Sequence, residues 1–197
     1  MEREILFTGI GGQGVQLAAN VVAHAAMAEG RDVQMFGSYG GMMRGGNTDA
    51  TLVIADRAVE APPTVDAAWA AIVMHPDFAD AVLARVRPGG LVLRNAALFD
   101  GARARTDLDL VDVPAKELAV TAGHVMAESM VMLGVLSALS GLVGLDALEA
   151  AVTTCVPPYR QQHVELNLRA IRAGAGAVVP STSHDAWSVG VPAGGRA

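Results

Sequence analysis

The chain has 197 residues, with 14 Lys and Arg against 20 Asp and Glu, a net charge of −6 and a pI near 5.3. That is the length of one domain, and with no Lys/Arg run it lacks the basic face that nucleic acid or an anionic membrane requires, so neither is expected as a partner. Hydrophobic residues make up 52% and charged residues 17%, with a mean hydropathy of +0.37, which excludes a disordered chain and predicts that a partner covers part of the apolar surface.

The elements follow in chain order. Ile5–Thr8 is a short apolar run ending in Gly9-Ile-Gly11-Gly12-Gln13-Gly14, and Val15, Ala18, Ala19, Val22 and Ala26 then recur at helical spacing. This predicts strand, glycine turn and helix, with Gly30 closing the helix and a second strand over Val33–Phe36 completing one βαβ unit. Gly37–Asn47 is too glycine-rich for a regular element and is expected to be a long functional loop. Strands are expected over Asp49–Ala55 and Ala67–Met74, with a turn at Ala61–Thr64 between them. A helix over Asp77–Val86, a turn at Pro88–Gly90, strands over Leu91–Arg94 and Leu108–Val113 and a helical turn at Lys116-Glu117 follow. Alternation of strand and helix predicts an α/β fold, a Rossmann-like layered and mostly parallel sheet with flanking helices. The C-terminal half reads as helical, over His124–Ser140, Asp146–Thr154 and Gln161–Ala173. The domain is expected to span 1–174, and the Gly/Ser/Pro-rich 175–197 to be a tail, either flexible or wrapped on a partner subunit.

Two uncharged stretches, Ile5–Ala28 and Ser129–Leu145, are broken by glycines and polar residues and are expected as core elements rather than membrane spans. The N-terminus shows neither a basic nor a clean apolar signal region, so the cytoplasm is the expected location. Cys155 is the only cysteine. It excludes an intrachain disulfide and cannot by itself hold an iron–sulfur cluster or a structural zinc.

Gly9-x-Gly11-x-x-Gly14 has the spacing and context of a dinucleotide fingerprint, in which glycines let the backbone approach a phosphate at a helix N-terminus. Gly9, Gly11, Gly12, Gln13 and Gly14 are therefore the candidate cofactor-binding residues. The acidic residue that the fingerprint wants at the second strand's end is missing, since Gln34, Met35, Phe36 and Gly37 stand there. A glycine turn that binds nothing is an equal alternative. In the loop, Ser38, Tyr39, Arg44, Gly45 and Gly46 are candidates for a surface facing a substrate, coenzyme or partner, with Arg44 as a planar donor fork for a carboxylate or phosphate. The five histidines show no metal-ligand spacing, His24 is expected in the core, and no self-sufficient catalytic set or metal site is legible.

Gly9–Gly14, Ser38-Tyr-Gly with Arg44-Gly-Gly46, Met130–Gly134 and Asn167-x-x-Ala170-Ile-x-x-Gly174, in this order, resemble the gamma subunit of the 2-oxoacid:ferredoxin oxidoreductases over about residues 3–174. The resemblance implies a subunit without its own active site in a complex that oxidatively decarboxylates a 2-oxoacid to its acyl-coenzyme A. Thiamine diphosphate, magnesium and iron–sulfur clusters would then belong to alpha, beta and possibly delta partners, electrons would pass to ferredoxin or another acceptor, and this chain would support assembly and the coenzyme A side of the site. Two departures stand out. Gly41-Met42 replaces the Pro-Glu common in the family's loop, which removes a partner for Arg44 and suggests a bulkier oxoacid, and Ser129 stands where the family often has Asn. The rival expectation is a free-standing NADP-binding oxidoreductase, with the glycine turn on the pyrophosphate and Arg44 on the 2′-phosphate.

Overall fold

The computed structural model describes residues 1–39, 46–59, 65–99, 105–180 and 184–188, with the backbone alone at Tyr39. Six strands form one sheet: β1 (Glu2–Ile10), β2 (Asp32–Tyr39), β3 (Asn47–Ala55), β4 (Ala68–Val73), β5 (Val86–Asn95) and β6 (Asp109–Val113). Their order is β2-β3-β1-β4-β5-β6, and β3 alone runs against the others. The helices are α1 (Val15–Ala28), α2 (Ala79–Leu83), α3 (Ala115–Thr121), α4 (Glu128–Ser140), α5 (Leu145–Cys155) and α6 (Val164–Gly176), with short 3-10 turns at Pro76–Phe78, Ala96–Leu98, Val125–Ala127 and Pro158–His163.

Period-two alternation sends Ile5 and Phe7 of β1 to one face of the sheet, where α1 and α3–α6 cover them, and Leu6 to the other, where α2 supplies Val82 and Leu83. The mostly parallel α/β architecture and the helical C-terminal half are as expected. The first βαβ unit differs. β2 does run parallel to β1, but β3 turns straight back from β2 and pairs with all of β1, from Glu2↔Ala55 to Ile10↔Asn47, and so lies between them. Strand periodicity specifies which face is buried and not which strand is the neighbour.

Several local expectations also shift. β2 continues through Gly37–Tyr39 and β3 starts at Asn47, so the glycine-rich loop is shorter than expected. The helix expected to Val86 ends at Leu83. Pro88–Gly90 is a bulge inside β5, where Val86 pairs with Ala68 and Leu91 with Ala70, and Gly89 absorbs the excursion at φ 73°. His24 is exposed, on the outward stripe of α1 with Asn20 and Met27. The turn expected at 61–64 lies outside the described residues. Gly30 is the left-handed residue after α1, with the Gly30 N–H bonded to the Met27 carbonyl and the Arg31 N–H to Ala26.

The uncharged stretch from Ser129 is α4, with ten of its 13 residues buried. Among the described residues no helix is long and apolar enough to cross a membrane. α4 crosses α6 with backbone against backbone: a Cβ on Gly134 would lie 1.9 Å from the Ile171 carbonyl oxygen, and one on Gly174 2.0 Å from that of Val131. The Met130–Gly134 and Asn167–Gly174 motifs are therefore the two sides of one helix crossing. At the opposite end of the sheet from the glycine turn, residues 184–188 lie on this domain. The Ala186 N–H donates to the Ser140 carbonyl (2.7 Å), Trp187 Nε1 to that of Leu142 (3.0 Å), and the Arg31 guanidinium stacks 3.7 Å from the Trp187 ring centre.

The crossing makes a direct stability test. Gly134→Ala or Gly174→Ala is expected to cost about 3 kcal/mol or more, because rigid backbone must move. Gly176→Ala, whose Cβ meets nothing within 4 Å, should change stability by about 1 kcal/mol or less. Urea unfolding of the three variants checks this ranking.

Candidate functional site

The connection after β1 leads leftward to β2 while that after β4 leads rightward to β5, so the carboxyl ends of β1 and β4 form the topological switch point of the sheet. Gln13 fills it. Its Oε1 accepts from the Ile10 N–H (2.9 Å) and its Nε2 donates to the Met74 carbonyl (3.2 Å), joining the two strand ends. Gly9 is a packing glycine beneath this amide, since a Cβ there would meet Gln13, Met74 and Val15 within 2.9 Å.

Gly11 and Gly12 are exposed, and Gly14 starts α1 in the left-handed conformation at φ 76°. A Cβ on Gly14 would also lie 2.6 Å from Ser129 Oγ, so glycine is required there by conformation and by space. α1 has no side-chain cap and no acidic residue in its first turn. Its first N–H groups and the positive end of its dipole therefore face outward without an internal acceptor.

The glycine turn meets the second motif through its backbone, the Gly11 N–H donating to the Gly46 carbonyl at 3.0 Å. Asp49 ties down the root of that loop. It accepts from Thr8 Oγ1 (2.6 Å) and Asn47 Nδ2 (2.7 Å), while its carbonyl accepts from Gln16 Nε2 at the start of α1 (2.5 Å). Gly37 leaves room for Gln16, whose Oε1 would lie 2.4 Å from a Cβ. Ser38 is exposed at the end of β2 and the Tyr39 backbone pairs with Thr48. Arg44 and Gly45, with Met42, lie outside the described residues.

Beside the turn opens a cavity of about 550 Å³, bounded by Gly12, Gly14 and α1 on one side and by the C-terminal helices on the other. Ser129 and Asn167 line it at 3% and 6% exposure, and neither side chain is hydrogen-bonded among the described residues. Neither side chain's polar atoms are among the fully enclosed unpartnered ones, so both residues are mostly buried yet leave their hydrogen-bonding groups free for water or a ligand in the cavity. Asn20, Arg160, His124, His163 and Cys155 complete the polar lining, and no carboxylate lines the cavity among the described residues. The imidazoles of His124 and His163 stack with ring centres 4.7 Å apart and planes 8° from parallel. Burial, and then the neighbouring His163, lowers the His124 pKa. Burial raises that of the Cys155 thiol.

Of the residues singled out from the sequence, the structure brings together the glycine turn and Gly46. It adds a set that spacing could not reveal, since His124, Arg160 and His163 come from the turns before α4 and α6. Ser129 and Asn167 stood out only through the family resemblance.

The model of the pyruvate ferredoxin/flavodoxin oxidoreductase family matches residues 4–177. The chain belongs to this family. It is 32% identical over 181 residues to the 2-oxoglutarate synthase subunit KorC of Methanothermobacter thermautotrophicus, covering 88% of this chain and 94% of that one. It is also 32% identical over 176 residues to the ketoisovalerate oxidoreductase subunit VorA of Methanothermobacter marburgensis, but spans only 36% of its length. Among solved structures, the gamma subunit of a keto/oxoacid ferredoxin oxidoreductase from Geobacter sulfurreducens superposes with a TM-score of 0.76 at 29% identity, covering 88% of this chain and 94% of that one. Membership of this family displaces the free-standing NADP-binding oxidoreductase. In keeping with that, the end of β2 carries no carboxylate for a ribose, and the switch point is closed by Gln13.

Cys155 reports on access to the cavity. With burial raising its thiol pKa and so lowering the thiolate fraction, alkylation by iodoacetamide at pH 7.5 is expected to run more slowly than for an exposed cysteine. Timed alkylation followed by intact-mass measurement checks this.

Proposed function

We propose that this chain is the gamma subunit of a thiamine diphosphate-dependent 2-oxoacid:ferredoxin oxidoreductase complex, and that its cavity faces the coenzyme A side of the shared site. The reaction is the oxidative decarboxylation of a 2-oxoacid to its acyl-coenzyme A, with electrons leaving to ferredoxin or another acceptor. Family membership supports the complex. The observation that carries the chain's own role is the polar lining, free of carboxylates among the described residues, in which the first-turn amides of α1, Ser129 and Asn167 stand together with Arg160.

That donor set fits an anion of the phosphate type, because amides at a helix N-terminus, a hydroxyl, a carboxamide and a guanidinium all donate hydrogen bonds to phosphate oxygens. Coenzyme A carries such phosphates, and when bound it supplies the thiol that accepts the acyl group. This chain's residues would hold the phosphate-bearing end and orient it. The loop carrying Ser38, Tyr39, Arg44, Gly45 and Gly46 would extend the same surface toward substrate or partner, and its Met42 would favour a bulkier oxoacid. Thiamine diphosphate, magnesium and the iron–sulfur clusters fall to the alpha, beta and delta partners, since Cys155 alone does not supply the four thiolates of a cluster.

Tagged chain recovered from its own cells is expected to bring cluster-bearing and thiamine diphosphate-binding chains with it. In that complex, Ser129→Ala with Asn167→Ala should raise the KM for coenzyme A about tenfold or more, the loss expected for hydrogen bonds to a charged group, while kcat changes little. Recovery of the chain alone, or an unchanged KM, would overturn the proposal.

A further inference from the structure

The stacked imidazoles sit in this cavity without an assigned task. α1 contributes Leu17 and Asn20, α4 Ser129 and Met130, the end of α5 Cys155, and α6 Asn167. The turn between α5 and α6 contributes Arg160, the one fixed cation among the described lining residues, and His163 itself. His163 Nδ1 is buried with no hydrogen-bond partner, and the closest polar neighbour of its Nε2 is the Gln162 amide at 3.4 Å.

We propose that the His124–His163 pair takes up one proton when an anion enters the cavity, so that binding at this site tightens as pH falls. This rests on the assignment of the cavity to the phosphate-bearing end of the coenzyme. Two imidazoles stacked face to face at 4.7 Å cannot both be charged without strong repulsion, so the pair stores at most one proton readily. With no anion bound, no carboxylate among the described lining residues offsets even that one. The low His124 pKa follows the same logic. Its causes are burial and His163, with no compensation from Glu117 of α3 or Glu128 of α4.

An anion reverses the local field and desolvates with the pair, so it raises the pair's pKa. Affinity then rises as pH falls through the pKa of the bound form, and levels off below the pKa of the free form. For one coupled proton and a rise on the order of one unit, the whole gain is about tenfold, spread over the window between the two pKa values.

The test is NMR titration of the histidine ring protons in the full chain between pH 5 and 8. One series contains sulfate, a dianion throughout that range, and the other contains chloride at equal ionic strength. His124→Phe, which keeps a stacked ring and cannot titrate, assigns the signals. The expected result has three parts: sulfate shifts the backbone amides of Gly12–Gln16, the apparent pKa of the pair rises by on the order of one unit, and His124→Phe combined with His163→Phe removes the pH dependence of sulfate affinity. If the amides shift while the pair's pKa stays, the proton coupling is overturned and the anion site stands. If neither moves, the proposal falls together with the anion site beneath it. A pH dependence that persists when both His124 and His163 are replaced by Phe also overturns it.

Discussion

The backbone-to-backbone crossing of α4 and α6 governs the rest of the molecule. With Gly134 and Gly174 facing the opposite chain's carbonyls, the two helices approach more closely than any side chain would allow. That distance sets where their first turns end up. Ser129 comes to rest against Gly14, and Asn167 opens into the space beside it. A wider crossing would carry both residues away from the start of α1 and dissolve the cavity. The far end of the same layer is pinned as well, because Glu29 at the end of α1 accepts the Gly144 N–H at the start of α5 (2.7 Å).

The glycine turn answers a different constraint. A strand must end, pass its neighbour and enter a helix within four residues, and the helix must begin beside Ser129. Gly9 gives way to Gln13, Gly14 adopts the left-handed conformation, and Gln13 seals the joint between β1 and β4. What the turn leaves open is the face toward α4 and α6. There the electrostatics come mainly from backbone amides, which suits a chain with only 17% charged residues. An anion site built this way needs few cations, and Arg160 with the paired imidazoles supplies the remainder.

The strand, turn and helix around Gly9–Gly14 were legible because a glycine spacing stood between two clear periodicities. The sheet order was not, since β3 has the same buried alternation wherever it pairs. Pro88–Gly90 carries the composition of a turn but is spent on a bulge, because the strand resumes its parallel pairing at Leu91. His24 was misplaced because its outward stripe is short and otherwise uncharged. The cavity was the least legible part. Its polar residues are spread from Gly12 to Asn167 and converge only through the α4–α6 crossing, which no local pattern encodes. The side chains of Tyr39 and Arg44, singled out from the loop, lie outside the described residues.

The most direct test is a cryo-electron microscopy structure of the complex isolated with this chain, prepared with coenzyme A. The account expects coenzyme phosphate density within hydrogen-bond distance of the first-turn amides of α1, Ser129 and Asn167. Coenzyme bound elsewhere, with this cavity filled by a partner's side chains, would contradict it.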